Sequence, residues 1–208
     1  MRSFSPLRLT LGILCLPLVV LQAELPEAPV AGEGEELATF AGGCFWCMEK
    51  PFEAVDGVEE VVSGYTGGRV PHPTYKQISR GDTGHVEAVQ FAYDPTEVSY
   101  EELLDIYWRQ INPTDGGGQF ADRGSQYRPA IFVHSEEQRA AAEASKQALA
   151  ESGRFDGEIV VAIEEADRFY VASSFHQDFY RENPRRYLNY ARGSGRVGYL
   201  RKKWADEE

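Results

Sequence analysis

"AGGCFWCMEKPFE", residues 41–53, decides how the rest of the chain is read. It follows "LATF" (37–40), which reads as a strand running into Gly42-Gly43, and it carries helix-forming residues from about Cys44 to Val55. A helix opening on Cys44 puts that thiol over backbone N–H groups short of partners, and the positive end of the helix dipole is expected to lower its pKa. Cys47, three residues on, lies one turn along the same face, where a thiol–disulfide pair is geometrically feasible. Bulky Phe45 and Trp46 are wedged between the two thiols.

Further along, "GVEEVVSGYTG" (57–67) reads as a strand with a glycine-rich exit. "HVEAVQFAYD" (85–94) alternates, with Val86, Ala88, Gln90 and Ala92 on one face and His85, Glu87, Val89, Phe91 and Tyr93 on the other. Ser99 and Glu102 spell a capping box ahead of a helix that buries Leu103, Leu104, Tyr107, Trp108 and Ile111. "AIFVH" (130–134) is a strand, Ser135 and Gln138 cap an Ala-rich helix, and "EIVVAI" (158–163) is another strand. A short helix is expected around "FHQDFYREN" (175–183). Two or more βαβ-like units with hairpin pairing predict an α+β two-layer sandwich. The loop "NPTDGGGQFADRGSQYRP" (112–129) is long for a compact domain, and its aromatics and opposite charges mark it as functional.

The chain opens with Arg2, Arg8 and the apolar run "LTLGILCLPLVVL" (9–21), too short to span a bilayer and broken by Pro17. Residues 1–23 are therefore expected to be a signal peptide cleaved after Ala23, and the protein to be exported, periplasmic or secreted. Acidic "ELPEAPVAGEGEE" (24–36) reads as a flexible tether, and 37–208 as one domain. Losing Arg2 and Arg8 makes the formal charge of −12 two units more negative, which argues against nucleic acid and anionic membranes as partners.

Of three cysteines only Cys44 and Cys47 survive such cleavage. A secreted protein stapled by disulfides would carry more, spaced apart, so a lone close pair reads as redox chemistry. Covalent haem would need His after the second cysteine, where Met48 stands. A soft-metal carrier would be crowded by Phe45 and Trp46 and lacks a completing His/Cys cluster. A thioredoxin-like thiol–disulfide exchanger stays open on the motif alone.

The blocks "GCFWCMEKPFE", "GYTGG" (64–68), "PTYKQISRGDTGHVEAVQFAYDP" (73–95), "GGGQFADRGSQYRPAIF" (116–132) and "FHQDFY" (175–180) occur in that order. Together, over roughly 37 to 200, they closely resemble the class A peptide methionine sulfoxide reductases. The resemblance implies a ferredoxin-like α+β fold and thiol-dependent reduction of the S epimer of methionine sulfoxide, free or in oxidised proteins. It also implies recycling by thioredoxin or a similar dithiol, with no metal and no bound organic cofactor. By resemblance Cys44 is the nucleophile that becomes a sulfenic acid, and Phe45 and Trp46 cage the substrate methyl group. Glu87 is the acid, Tyr75 and Tyr127 bind the sulfoxide oxygen, and Asp122 orients the site. Desolvation on its strand should keep Glu87 neutral and proton-donating. Glu49 is expected to be a helix-surface or structural carboxylate, and His176 to have a structural or substrate-groove role.

Two departures stand out. Many relatives carry recycling cysteines in a C-terminal tail, but residues 190–208 contain none, leaving Cys47 to resolve Cys44 within the processed chain. "ASSFHQ" (172–177) differs from the acidic, Tyr-bearing version common in the family, which bears on the shape of the substrate groove.

Overall fold

The computed structural model describes residues 27–205. The elements in order are β1 (Glu36–Ala41), α1 (Phe45–Glu53), β2 (Val62–Thr66), α2 (Tyr75–Ile78), β3 (Val86–Tyr93) and α3 (Tyr100–Trp108). They continue with β4 (Gly118–Gln119), β5 (Asp122–Arg123), a 3-10 turn (Ser125–Tyr127), β6 (Ala130–Val133), α4 (Glu136–Glu151), β7 (Ala162–Glu165) and β8 (Tyr170–Val171). Helices α5 (Phe179–Glu182), α6 (Pro184–Gly193) and α7 (Arg196–Lys203) complete the described chain.

The main sheet runs β7-β6-β1-β3-β2-β8. Its central four strands, in the order β6-β1-β3-β2 and joined as β1-α1-β2-β3-α3-β6, are antiparallel neighbours. That is the ferredoxin-like split βαβ arrangement. Only β6 and β7, linked through α4, pair in parallel. The βαβ-like units expected from the sequence are split: β3 inserts between β1 and β2, so they point the same way without touching.

Alternation places the two faces of β3 as expected, but both are buried. Val89, Phe91 and Tyr93 join the main core beneath the helices, while Val86 and Ala88 join a smaller cluster on the opposite side with Ala41, Val62 and Phe132. Ala28 packs on that second cluster, and the Pro29 carbonyl accepts from Gln90 Nε2 at 3.3 Å. The main core centres on Phe40, whose ring lies 5.1 Å from those of Phe52 and Tyr107.

Local signals place the helices. Ser99 accepts from the Glu102 N–H while Glu102 reaches back to Ser99, and the Ser135 side chain accepts from the Gln138 N–H. Such caps are each worth about 1 kcal/mol. A second box, Thr74 with Gln77, starts the one-turn helix that begins at Tyr75. The strand expected over 158–163 pairs later, from Ala162, because Ile159 and Val161 sink into the core before the β6 ladder begins. The loop 112–129 is a built structure: β4 and β5 form a ribbon, Asp115 pairs with Arg123, and buried Gln119 bonds both the N–H and C=O of Asn112.

At the other edge, β2 has only a two-residue partner in β8, at Gly64 and Tyr65. Where β8 stops, the Gln177 amide takes over: Oε1 accepts from Ser63 N–H at 2.8 Å and Nε2 donates to Ser63 O at 2.9 Å. Among the described residues no helix is long and apolar enough to cross a membrane.

Candidate active site

The turn from β1 into α1 sets the site. Gly43 sits at φ +88°, and a Cβ there would lie 2.6 Å from Gln119 Cβ and 2.9 Å from Arg196 Nη2, so only glycine fits. Cys44 is extended (φ −60°, ψ 122°) and is the residue before the helix, with α1 starting at Phe45 rather than at the cysteine. Arg196 braces the turn from behind, donating to Gly42 O at 2.9 Å and to Gln110 O.

Glu87, on β3 opposite Tyr65 of β2, reaches up to this turn and accepts the Phe45 N–H through Oε2 at 3.2 Å. It is 2% exposed, and burial lifts its pKa to about 8 despite the Phe45 N–H; Asp122 adds to the rise. The carboxyl is therefore protonated at neutral pH.

The expected lowering of the Cys44 thiol is overturned. Cys44 is 8% exposed, and burial pushes its pKa well up, with Glu87, Cys47 and Asp122 adding to the rise and Tyr190 opposing it. Burial outweighs the helix N-terminus, whose first N–H goes to Glu87. Burial likewise raises Cys47, offset in part by the Arg196 charge. Both thiols are free.

The other expected site residues converge on the same spot. Burial raises the phenols of Tyr75 and Tyr127, with Glu87 next in effect on each and Cys44 and Asp122 also acting. Tyr75 is 45% exposed at the rim, while Tyr127 and Asp122 are half-buried on the 112–129 loop. Phe45 and Trp46 diverge. Phe45 is buried against Tyr65, with ring centres 5.9 Å apart, whereas half-buried Trp46 lies flat on Phe179 at 3.5 Å and 4°. His176 is the hub between them, its ring 5.1 Å from Phe45, 5.8 Å from Trp46, 4.6 Å from Tyr75 and 5.2 Å from Phe175. Burial lowers the His176 pKa, which keeps the imidazole neutral.

Two site residues escaped the sequence reading. Tyr190, in α6, donates to Asp122 Oδ2 and is also within hydrogen-bonding reach of the Cys44 sulfur. Its segment is polar and carries no motif that sequence alone would flag. Tyr65 is 2% exposed with an unpartnered hydroxyl, and Glu87 is the nearest charge acting on it. Its place in "GYTGG" opposite Glu87 was the available signal. Of the two expectations for Glu49, helix-surface or structural, the structural one fits: it is 1% exposed and accepts the Asp178 N–H at 2.8 Å.

The sequence profile described as "Peptide methionine sulfoxide reductase" matches residues 36–208. "Peptide methionine sulfoxide reductase MsrA" of Bacillus subtilis is 56% identical over 172 residues, 83% of this chain and 97% of the relative. The protein of the same name in Listeria monocytogenes is 53% identical over the same shares. Among solved structures, reduced Mxr1 of Saccharomyces cerevisiae superposes with a TM-score of 0.69 at 30% identity, over 73% of this chain and 87% of that one. Methionine sulfoxide reductase A of Corynebacterium diphtheriae gives 0.66 at 31%, over 77% and 84%. With its ferredoxin-like core, its thiol beside a neutral carboxyl and these relatives, the chain belongs to the peptide methionine sulfoxide reductase family.

Proposed function

We propose that this chain reduces the S epimer of methionine sulfoxide, free and within oxidised proteins, with Cys44 as nucleophile and Glu87 as acid. The observation that carries this assignment is a buried Glu87 carboxyl tied to the first N–H of α1, immediately after the Cys44 thiol, with burial favouring its protonated form. A sulfoxide needs a soft nucleophile at sulfur and a proton at oxygen, and these two groups supply them side by side.

In the first step the Cys44 sulfur attacks the substrate sulfur while Glu87 protonates the oxygen, with the Tyr75 and Tyr127 phenols holding it. The S–O bond of the substrate breaks and the oxygen ends on Cys44 as a sulfenic acid. Cys44 is oxidised by two electrons and the sulfoxide is reduced by two, giving the thioether. The proton lost by the thiol replaces the one given by Glu87, so the step is proton-neutral. Tyr190 touches Cys44 on one side and Asp122 on the other, which offers that proton a path. Phe45, Trp46 and Phe179 supply the dry aromatic wall for the substrate methyl group.

In the second step the Cys47 sulfur attacks the sulfenic sulfur, water leaves, and a Cys44–Cys47 disulfide forms. The geometry favouring this is that Cys47 is one turn on, with its N–H on the Cys44 carbonyl at 3.0 Å. A thioredoxin-like dithiol then reduces the disulfide and is itself oxidised; neither metal nor organic cofactor takes part. Export, with 1–23 as a signal peptide, belongs to the same proposal, and residues 1–26 lie outside the described structure; the tether expected over 24–36 is shortened, because Ala28 packs on the sheet, Pro29 bonds Gln90 and Glu36 opens β1.

The test is reduction of each sulfoxide epimer with dithiothreitol, comparing wild type with Cys44→Ser. Turnover of the S epimer alone, lost in the variant, is expected; reduction of the R epimer only, or full activity in the variant, overturns the assignment. Peptide mapping after excess sulfoxide without reductant should find the Cys44–Cys47 disulfide. Stable sulfenic acid in wild type would remove Cys47 from the scheme.

A further inference from the structure

We propose that Glu49, Glu53 and Asp178 form a site for a hard divalent cation, Ca²⁺ by preference, that ties α1 to the segment carrying Phe179. One carboxylate oxygen from each lies within 4.8 Å of the others, and this is the one such acidic group among the described residues. Two of the three carboxylates are hidden from water: Glu49 is 1% exposed and the Glu53 side chain 7%.

The second observation is Glu49 Oε2, which is buried and has no hydrogen-bond partner. Its other oxygen is satisfied by the Asp178 N–H at 2.8 Å, so Oε2 is a spare acceptor inside a carboxylate cluster. A buried acceptor of this kind is costly to leave unmade, more so if charged, and a cation would satisfy it. Charge counting agrees. Arg181 is the cation recorded on the cluster, at 2.8 Å from Glu53 Oε2 and 2.8 Å from Asp178 Oδ1, and its side chain is 57% exposed. One exposed guanidinium bridges two of the three acidic side chains.

An adjoining cavity of about 310 Å³ is lined by Glu53, Glu59, Glu60, Asp178 and Arg181 with Val58. It gives an entry path, room for coordinating water and two more negative charges. The Glu53 Oε2 also accepts from the Tyr180 hydroxyl. Donors that are all oxygen select Ca²⁺, Mg²⁺ or Mn²⁺ over zinc or copper, and an irregular set of carboxylates suits Ca²⁺ better than octahedral Mg²⁺.

The location gives the site a purpose. Glu49 follows Cys47 by two residues on α1, and Asp178 directly precedes Phe179, the ring stacked on Trp46. An ion bridging them would fix the aromatic wall against the helix that bears both thiols.

The experiment uses the full chain, stripped with EDTA and exchanged into metal-free buffer. Tb³⁺ luminescence is excited through the nearby Tyr180 and Trp46 rings, then CaCl2 and MgCl2 are titrated as competitors, and thermal unfolding is followed in parallel. Ca²⁺ should displace Tb³⁺ saturably with a Kd of about 10⁻⁴–10⁻³ M and raise the unfolding midpoint. Glu49→Gln and Asp178→Asn should each abolish both effects, while Glu136→Gln on exposed α4 should keep them. Asp178 is partly exposed, so its variant tests the site even if Glu49→Gln fails to fold. No Ca²⁺-displaceable luminescence, or an equal midpoint rise in Asp178→Asn and wild type, would overturn the proposal. Neither readout depends on turnover, so the result stands apart from the sulfoxide chemistry.

Discussion

Glu87 and Glu49 flank the same helix, are 2% and 1% exposed, and are both lifted to about 8 chiefly by burial. Each spends one oxygen on a backbone N–H, from Phe45 and Asp178 respectively. Their neighbours differ. Around Glu87 stand a thiol and the phenols of Tyr65, Tyr75 and Tyr127, which exchange protons or hold a polar oxygen. Around Glu49 stand Glu53, Asp178 and Arg181, which repel or neutralise charge. Equal burial thus makes a proton donor in one place and a charge cluster in the other, and the company a carboxyl keeps decides which.

The comparison breaks most visibly in activity. Glu87→Gln should lower single-turnover reduction about 10²–10⁴-fold, the usual worth of a general acid, whereas Glu49→Gln should stay within a few-fold of wild type. Equal losses in rapid-quench measurements would mean the two carboxyls are not functionally distinct. Next in size, Tyr190→Phe should slow the first turnover roughly tenfold, because a charge-assisted hydrogen bond of about 1.5 kcal/mol to Asp122 is lost along with the contact to Cys44. A rate unchanged under the same assay would take Tyr190 out of the proton path.

The subtlest difference is in stability against pH, measured by urea unfolding in EDTA. Both folded pKa values lie above the usual carboxylate value, so each group's stabilising proton is fully present below about pH 4.3 and lost as pH rises through about 8. Stability should therefore fall between these limits. Glu49→Gln should flatten the slope by up to about 1.4 kcal/mol per pH unit, with Glu87→Gln doing the same independently. A slope untouched by either variant would show that these carboxyls titrate normally.

How much of this was written in the chain varies with the physics behind each part. Helices α3 and α4 were legible because Ser99, Glu102, Ser135 and Gln138 act within four residues of one another. Strand β3 was legible as alternation, but not its burial on both faces, which depends on the distant Ala28 and Phe169. Helices α6 and α7 went unread because their stretch is polar and is held by long-range contacts such as Tyr190 to Asp122, Arg196 to Gly42 and Gln110, and Tyr199 to Asn112. In the site, residue types and order suggested Cys44, Glu87 and the aromatics. The direction of the Cys44 shift did not follow from a local rule. The helix dipole argument was outweighed by burial of the thiol, to which Glu87, a residue distant in sequence, adds its charge.

The Gln177 side chain on β2 bears on how the protein survives the conditions it would work in. Oxidative damage unfolds other chains and exposes strands ready to pair with any free edge. Just past β8 the Ala172 N–H still reaches the Ser63 carbonyl at 3.0 Å, but without Gln177 the Ser63 N–H would be left available to such a strand. Gln177 Oε1 occupies that N–H while its Nε2 shares the carbonyl with Ala172, acting as a one-residue mock strand that cannot be extended. Gln177→Ala would uncover that edge, and light scattering of the variant mixed with oxidised, partly unfolded protein should rise sooner than for wild type. The same glutamine that precedes the aromatic wall thus works as a guard against coaggregation.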